Sequence, residues 1–74
     1  MKVWSVNVNT NVYRLSDGDV DAAVIAAIDM YRACEIANEL INSGALEPRK
    51  FDVELIANEA VCEEGVCLTS TYYG

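Results

Sequence analysis

Tryptophan and valine alternate with serine and asparagine over the first stretch of the chain, residues 3–15. A period of two residues is typical of a strand with one buried and one solvated face. Residues 9–11, Asn-Thr-Asn, are typical of a turn. Two interpretations therefore stay open: one strand of about 12 residues, or a hairpin that pairs Val3–Val8 with Val12–Leu15.

The next stretch, Asp19 to Ser43, has the longest helical pattern in the chain. Its apolar residues recur with a period near 3.6, and neither glycine nor proline interrupts it. Asp19 is a suitable N-cap, and Gly44 suits the left-handed position that follows a helix. We therefore predict one helix of about 24 residues, about 36 Å long.

The first half of this predicted helix is apolar almost all round. A stripe of Val20, Val24, Ile28 and Tyr31 separates its wet face from a face of small residues, mostly alanine. Two explanations stay open: a strongly curved sheet covers both faces, or the stripe contacts another chain.

Two further strands are predicted after the helix. Residues 51–57 alternate, with Asp52 and Glu54 facing outward and an inward set of Phe51, Val53, Leu55 and Ala57. A helical stripe through residues 48–64 is the alternative. Glu63-Glu64-Gly65 is typical of a turn, and residues 66–73, rich in Val, Thr and Tyr, indicate a strand.

These elements predict a single α+β domain that covers residues 1–74. It has a small antiparallel sheet of three or four strands with one long helix packed on one face, in the order β-(β)-α-β-β.

The charge of the chain restricts its partners. Its 74 residues carry a net charge of −7, and binding to phosphates requires a basic surface. We therefore predict no direct contact with nucleic acid. The acidity suits a protein partner with a basic surface, or it serves only to keep a small protein in solution.

The location is predicted to be cytoplasmic. Lys2 is followed by an alternating segment, which is unlike a secretory signal. No apolar run approaches the roughly 20 residues of a membrane span, so we predict no membrane contact. Three cysteines, an odd number, fit a reducing compartment.

The sequence offers little catalytic or metal-binding chemistry. Histidine is absent, and histidine is the commonest acid/base residue and metal ligand, so we predict neither an enzyme nor a cofactor. Asp17, Asp19 and Asp21 have the spacing of a calcium loop, but Ala22 and Ile28 replace its glycine and glutamate. We predict that these aspartates cap the helix and bind no metal.

The cysteines leave two geometries open. Across a two-residue turn at Glu64-Gly65, Cys62 would face Cys67 and a disulfide would be feasible. A three-residue bulged turn would put the two sulfurs on opposite faces. The compartment favours free thiols, and zinc would need Cys34 and a carboxylate, which is a weak ligand set.

Acidic and aromatic side chains are the best candidates for a binding surface. The carboxylates would form one continuous negative surface if the start of the helix lay beside the last turn. Aromatic residues are enriched at interface hot spots. The predicted partner-binding residues are Asp17, Asp19, Asp21, Asp52, Glu54, Glu63, Glu64, Tyr31, Tyr72 and Tyr73.

The layout of the chain also carries a resemblance. An alternating strand, then VYRLSDGDVDAAVIAAI with its acidic cap and alanine-rich helix, then FDVELI, resembles small phage- and plasmid-borne proteins. Among these are compact acidic inhibitors of host defence, such as anti-CRISPR and anti-restriction proteins. The resemblance carries over no functional residue. It implies a non-catalytic inhibitor, located in the host cytoplasm, that occupies a basic, nucleic-acid-handling surface of a host defence complex.

The alternative function is a structural homo-oligomer, in the simplest case a homodimer. A second copy would bury the helix stripe of Val24, Ile28 and Tyr31, and the acidity would then serve solubility only.

Overall fold

The computed structural model describes residues 1–11, 14–15, 17–42 and 51–73, including all their side chains except those of residues 41 and 42. These residues form four strands and one helix, which are β1 Lys2–Val8, β2 Val20–Ala27, α1 Met30–Asn42, β3 Phe51–Ala57 and β4 Gly65–Thr71. The strands pair antiparallel in the order β3-β1-β2-β4. The predicted α+β class, with one helix on a small antiparallel sheet and the order ββαββ, is confirmed.

The extent of the predicted helix is wrong in its first half. Val20–Ala27 form the strand β2, and α1 begins only at Met30. Asp29 caps the helix instead of Asp19: its Oδ1 accepts from the backbone N–H of Arg32 at 2.8 Å, and its carbonyl accepts from the N–H of Ala33 at 3.1 Å. The predicted end, at residues 43–44, lies outside the described residues.

The position of β2 in the sheet explains why the helical pattern failed there. β2 has β1 on one edge and β4 on the other, and its residues are largely apolar on both faces: Ala23 and Ile25 are buried under the helix, whereas Ala22 and Val24 are half-buried on the other side. A segment that is apolar all round fits that position better than it fits a surface helix. The stripe of Val20, Val24, Ile28 and Tyr31 therefore does not exist, because its first two members lie in a strand.

The N-terminal strand is shorter than predicted. β1 ends at Val8, and the backbone N–H of Asn11 then donates to Oδ1 of Asn9 at 3.0 Å, which forms a turn. Both edges of β1 are occupied, by β2 and β3. Neither the 12-residue strand nor a hairpin with Val12–Leu15 is therefore found, although residues 12 and 13 themselves lie outside the described residues.

The two later strands are present but do not form a hairpin. Residues 51–57 are a strand, so the helical alternative for residues 48–64 is wrong. β3 and β4 lie at opposite edges of the sheet, joined by residues 58–64 across one end. A bulge aligns Leu55 with Trp4 and Ala57 with Val3, which moves Ala57 off the predicted inward side.

The core lies between α1 and one face of the sheet. The helix lies mainly over β2, and its close approach depends on small side chains from both elements. These fully or almost fully buried alanines are Ala23, Ala27, Ala33 and Ala37. Val6 and Ile25 are the largest side chains that are completely buried. Trp4 closes one end of the core by donating its indole N–H to the carbonyl of Ala27 at 3.1 Å.

Candidate functional site

Within the residues that the structure describes, the sheet has one face under the helix and one face that no other element covers. In β1, Val6 and Val8 are buried under α1, so Ser5 and Asn7 point to the other side. The pairing register extends this assignment to the neighbouring strands. We call this second side the open face and define it by Ser5, Asn7, Ala22, Val24, Asp52, Glu54, Leu68 and Ser70.

One half of the open face is a shallow apolar groove. Its volume is about 250 Å³, and its lining is contributed by β1, β2 and β4, from Ser5, Ala22, Ala23, Val24, Leu68, Thr69 and Ser70. Val24 lies directly opposite Leu68 in the register. Leu68 is 68% exposed, so one apolar side of the groove is accessible to solvent.

The other half of the open face is acidic. Asp52 lies opposite Asn7 and Glu54 lies opposite Ser5, and both carboxylates are exposed. Asn7 donates from Nδ2 to Oγ of Ser5 at 3.1 Å, which orders the polar row between the carboxylates and the groove. Lys2 is the only basic residue in the four strands, and it has the helix-side position in the register, opposite Ala27. No positive charge of the described strands therefore offsets this acidic half.

A second group of predicted residues lies at one end of the sheet. The backbone N–H of Gly18 donates to the carbonyl of Tyr72 at 2.9 Å, and the N–H of Tyr72 donates to the carbonyl of Asp19 at 2.7 Å. Gly18 has φ +90°, which a residue with a side chain rarely adopts. These bonds bring Asp17, Asp19, Tyr72 and Tyr73 together, and Tyr73 is 83% exposed.

Asp21 differs from the other predicted acidic residues in having a buried carboxylate oxygen. It is half-buried in β2, where the register skips from Val20 to Ala22. Its Oδ1 is buried and has no hydrogen-bond partner among the described residues. Neither Asp21 nor its two predicted companions caps the helix, because α1 begins nine residues beyond it, at Met30.

The third group lies at the opposite end of the sheet. Glu64 Oε1 accepts from Arg32 Nη2 at 2.8 Å and from Nε at 3.0 Å, and Glu35 lies 3.8 Å from the same guanidinium. This hydrogen bond, with the attraction of the charge, lowers the pKa of Glu64 and raises the pKa of Arg32. The charge of Glu64 is thus offset within the chain. Tyr31, beside Arg32, is 66% exposed, and Glu63 is exposed.

The predicted partner-binding residues therefore fall into three separate groups. β2 runs from the second group toward the third, and its eight residues span about 25 Å. The helix does begin beside the segment that leads into β4, where Arg32 contacts Glu64. Asp17, Asp19 and Asp21, however, precede α1 by the length of β2 and are not at the helix start, so the carboxylates do not form one continuous negative surface. Only Asp52 and Glu54 lie on the open face.

The three cysteines are all free. Cys34 is buried in the core, and burial raises the pKa of its thiol. Cys62 and Cys67 are exposed, and they do not face each other because Cys62 precedes β4 in the crossing segment. Among the residues that the structure describes, no three His, Cys, Asp or Glu side chains are grouped closely enough to hold a metal ion. Within the same part of the chain, no helix is long and apolar enough to span a membrane.

Sequence reasoning missed the groove beside the acidic pair. The sequence pattern predicts Ala22 and Val24 in a helix and pairs the last strand with the strand before it. Leu68 and Ser70 were therefore not predicted to lie beside Val24 and Ala22, where the groove forms. The available signal was the alternation in β1, which put Ser5 and Asn7 on a solvated face.

Comparison with protein-family models, with curated proteins and with solved structures gave no match to this chain. The geometry of the site is therefore the basis of the functional argument.

Proposed function

We propose that this chain is a non-catalytic protein-binding module whose contact surface is the open face. The observation that carries the proposal is the position of Asp52 and Glu54, two exposed carboxylates on the same uncovered face as an apolar groove. A partner with basic side chains next to apolar ones is complementary to this combination.

The two halves of the face supply different contributions to binding. Burial of apolar surface in the groove, at Val24 and Leu68, favours binding by about 25 cal/mol per Å², from which the entropy lost on association is subtracted. The carboxylates add little affinity while they stay solvated, but they attract and orient a basic partner. A net charge of −7 extends this attraction beyond the contact itself.

The proposed partner class is a protein that handles nucleic acid through a basic surface. Such a surface attracts phosphates, and an acidic protein competes for the same side chains. The layout that resembles small phage-borne inhibitors of host defence includes an acid-capped, alanine-rich helix, and β2 occupies that part of the chain in the structure, so the proposed class rests on the charge of the chain and of the open face. The proposed role is thus an inhibitor that blocks a basic surface sterically and electrostatically, without catalysis.

Binding to a synthetic peptide of alternating arginine and leucine tests the proposal. Fluorescence anisotropy of the labelled peptide should show binding that weakens as the salt concentration rises, because exposed charges are screened over about 8 Å at physiological ionic strength. Amide shifts in NMR spectra should follow the open face, at Ser5, Val24, Asp52, Glu54 and Ser70. Single-stranded DNA should compete with the protein for the peptide.

A matched pair of charge reversals distinguishes the open face from the total charge. The double variant Asp52→Lys/Glu54→Lys should bind the peptide at least about tenfold more weakly, which corresponds to about 1.4 kcal/mol. The variant Glu59→Lys/Glu63→Lys makes the same change in net charge at exposed positions of the crossing segment, and its affinity should fall much less. Equal losses in the two variants, or binding that ignores salt, would contradict the proposal.

A further inference from the structure

β4 is an edge strand whose side chains are largely in solvent. All of its residues from Val66 to Thr71 are exposed, and Leu68, on the open face, is 68% exposed. The helix lies mainly over β2, so it covers little of β4. The sheet order ends at β4, and no described strand pairs with its outer edge. The outer backbone groups of β4 are therefore accessible to another extended segment.

The sequence of β4, GVCLTST, permits such pairing. It contains no charged residue and no proline, and valine and threonine favour strands. β3, at the other edge, carries Asp52 and Glu54, and charged residues on an edge strand hinder pairing with another chain. The composition thus distinguishes the β4 edge from the β3 edge, but it does not select the occupant.

The far end of β4 lies beside an acidic segment. Backbone hydrogen bonds join Gly18 and Asp19 to Tyr72, the residue that follows β4. Residues 14–21 carry three carboxylates and one guanidinium, from Asp17, Asp19, Asp21 and Arg14. This segment is therefore negative overall, whichever of its carboxylates has a partner within the chain.

The start of β4 is negative as well. Glu63 and Glu64 directly precede the strand. The guanidinium of Arg32 lies 2.8 Å from Glu64 and offsets its charge, whereas Glu63 is exposed and forms no ion pair with a described residue. The seven residues of β4 separate the two acidic ends by about 23 Å. The accessible edge is thus an uncharged strand between two negative ends.

We propose that the outer edge of β4 binds an extended segment of a partner protein, with basic residues at both ends of the segment and uncharged residues between them. Charge complementarity selects this occupant, because the basic ends lie near the acidic ends of β4 and the uncharged middle lies along the uncharged strand. A second copy of this chain would instead bring like charges together. The contact goes beyond the open-face proposal, since it uses another edge of the sheet and other carboxylates.

A synthetic peptide tests the charge requirement. It consists of two lysines, seven alternating valines and threonines to match the length of β4, and two more lysines. Fluorescence anisotropy with the full chain should show binding at least about tenfold tighter than that of the same peptide with glutamate in place of lysine. Amide hydrogen exchange should show new protection in β4 and none in β3. Equal affinities of the two peptides, or protection of β3 instead, would overturn the proposal.

Two N-methylated forms of the lysine peptide test the strand pairing itself. The N–H groups of an extended segment point alternately to its two edges, so only one alternate set can pair with β4. Methylation of that set should weaken binding at least about tenfold, whereas methylation of the other set should leave the affinity unchanged. Both forms keep every charge and side chain, so a contact through side chains alone, as on the open face, would treat them alike. Equal affinities of the two forms would overturn the proposal.

A matched pair of single charge reversals locates the contact on the protein. Glu63→Lys should weaken binding of the lysine peptide about threefold, as expected for one exposed charge. Glu59→Lys makes the same change in net charge at an exposed position beside Ala60, whose N–H donates to the carbonyl of Met1, the residue before β1. Its affinity should stay close to that of the wild type, and circular dichroism should show that both variants are folded. Equal losses in the two variants would mean that the peptide responds to the total charge and does not lie along β4.

Discussion

The two faces of the sheet are formed by neighbouring residues of the same strands, yet they differ in packing and in charge. Val6 and Ile25 are completely buried under the helix, whereas Ser5 and Val24, one residue away, are half-buried on the open face. Because side chains alternate along a strand, each strand contributes one set of residues to the core and another to the surface. The stability of the fold and the proposed binding therefore depend on alternate positions of the same strands, and substitutions can alter them separately.

The helix also covers the four strands of the sheet unequally. A helix with its side chains is about 10 Å wide, while the axes of the outer strands of a four-stranded sheet are about 14 Å apart. α1 lies mainly over β2, so β4 extends beyond its cover. Within the described part of the chain, this limited cover leaves the open face and the β4 edge of the sheet accessible to other molecules.

The largest expected effect comes from Ile25, at the centre of the covered face. Ile25→Ala should lower the free energy of unfolding by about 3 kcal/mol, because it removes buried carbon atoms and leaves a cavity under a helix that is held close by alanines. Urea denaturation followed by circular dichroism measures the loss.

Val24→Ala is the matched substitution on the other face of the same strand. Val24 is half-buried on the open face, so Val24→Ala should lower the free energy of unfolding by less than about 1 kcal/mol. The difference from Ile25→Ala should be larger than the smaller number of removed atoms explains. Equal losses at the two positions would show that the open face is covered in solution by a partner or a second copy. A larger loss at Val24 would contradict the assignment of the faces.

Much of the fold was predictable from local patterns. Alternation identified β1 and β3, with their buried and solvated sides, because each of these strands has one wet face. β2 was misread as helix because an interior strand of alanine, valine and isoleucine shows no alternation of polarity, while alanine favours a helix. Ile28 and Asp29 separate the strand from the helix. Asp29 alone does not mark this boundary in the sequence, because aspartates also occur around residue 19, where the helix was predicted to start.

The candidate site was only partly predictable for a different reason. Asp52 and Glu54 follow from alternation within one strand, whereas the groove beside them depends on which strands are neighbours. β3 and β4 are consecutive in the chain and lie at opposite edges, so Leu68 comes next to Val24 only through long-range pairing. The ion pair of Glu64 with Arg32 is likewise a contact between distant segments of the chain, and it offsets the charge of Glu64.

An intermediate effect is expected at Asp29, which starts the helix that covers the face. Asp29→Ala should lower the free energy of unfolding by about 1 kcal/mol, because the side chain satisfies the N–H of Arg32. Asp29→Ser and Asp29→Asn should retain most of the stability, since both side chains accept the same hydrogen bond. If alanine and serine at this position gave the same unfolding curve, the helix would not depend on this cap.

The smallest expected effect concerns the ion pair at the rim of the covered face, where Arg32 of the helix contacts Glu64 just before β4. The hydrogen bond from Arg32 lowers the pKa of Glu64 below that of the unfolded chain. The pair therefore stabilises the fold above the ordinary pKa of a glutamic acid, and this contribution disappears as the pH falls through the lowered value. Both side chains are exposed to solvent, so the effect on stability is small.

Carboxyl titration by NMR measures this pair directly. Arg32→Gln should raise the pKa of Glu64 toward its ordinary value, because it removes both the hydrogen bond and the charge. Glu35→Gln is the control: Glu35 lies 3.8 Å from the guanidinium, against 2.8 Å for Glu64, so the pKa of Glu64 should change little. An unchanged pKa in Arg32→Gln would mean that the helix is not tied to the β4 side of the sheet at this point. The cover of the sheet would then rest on the alanine contacts alone.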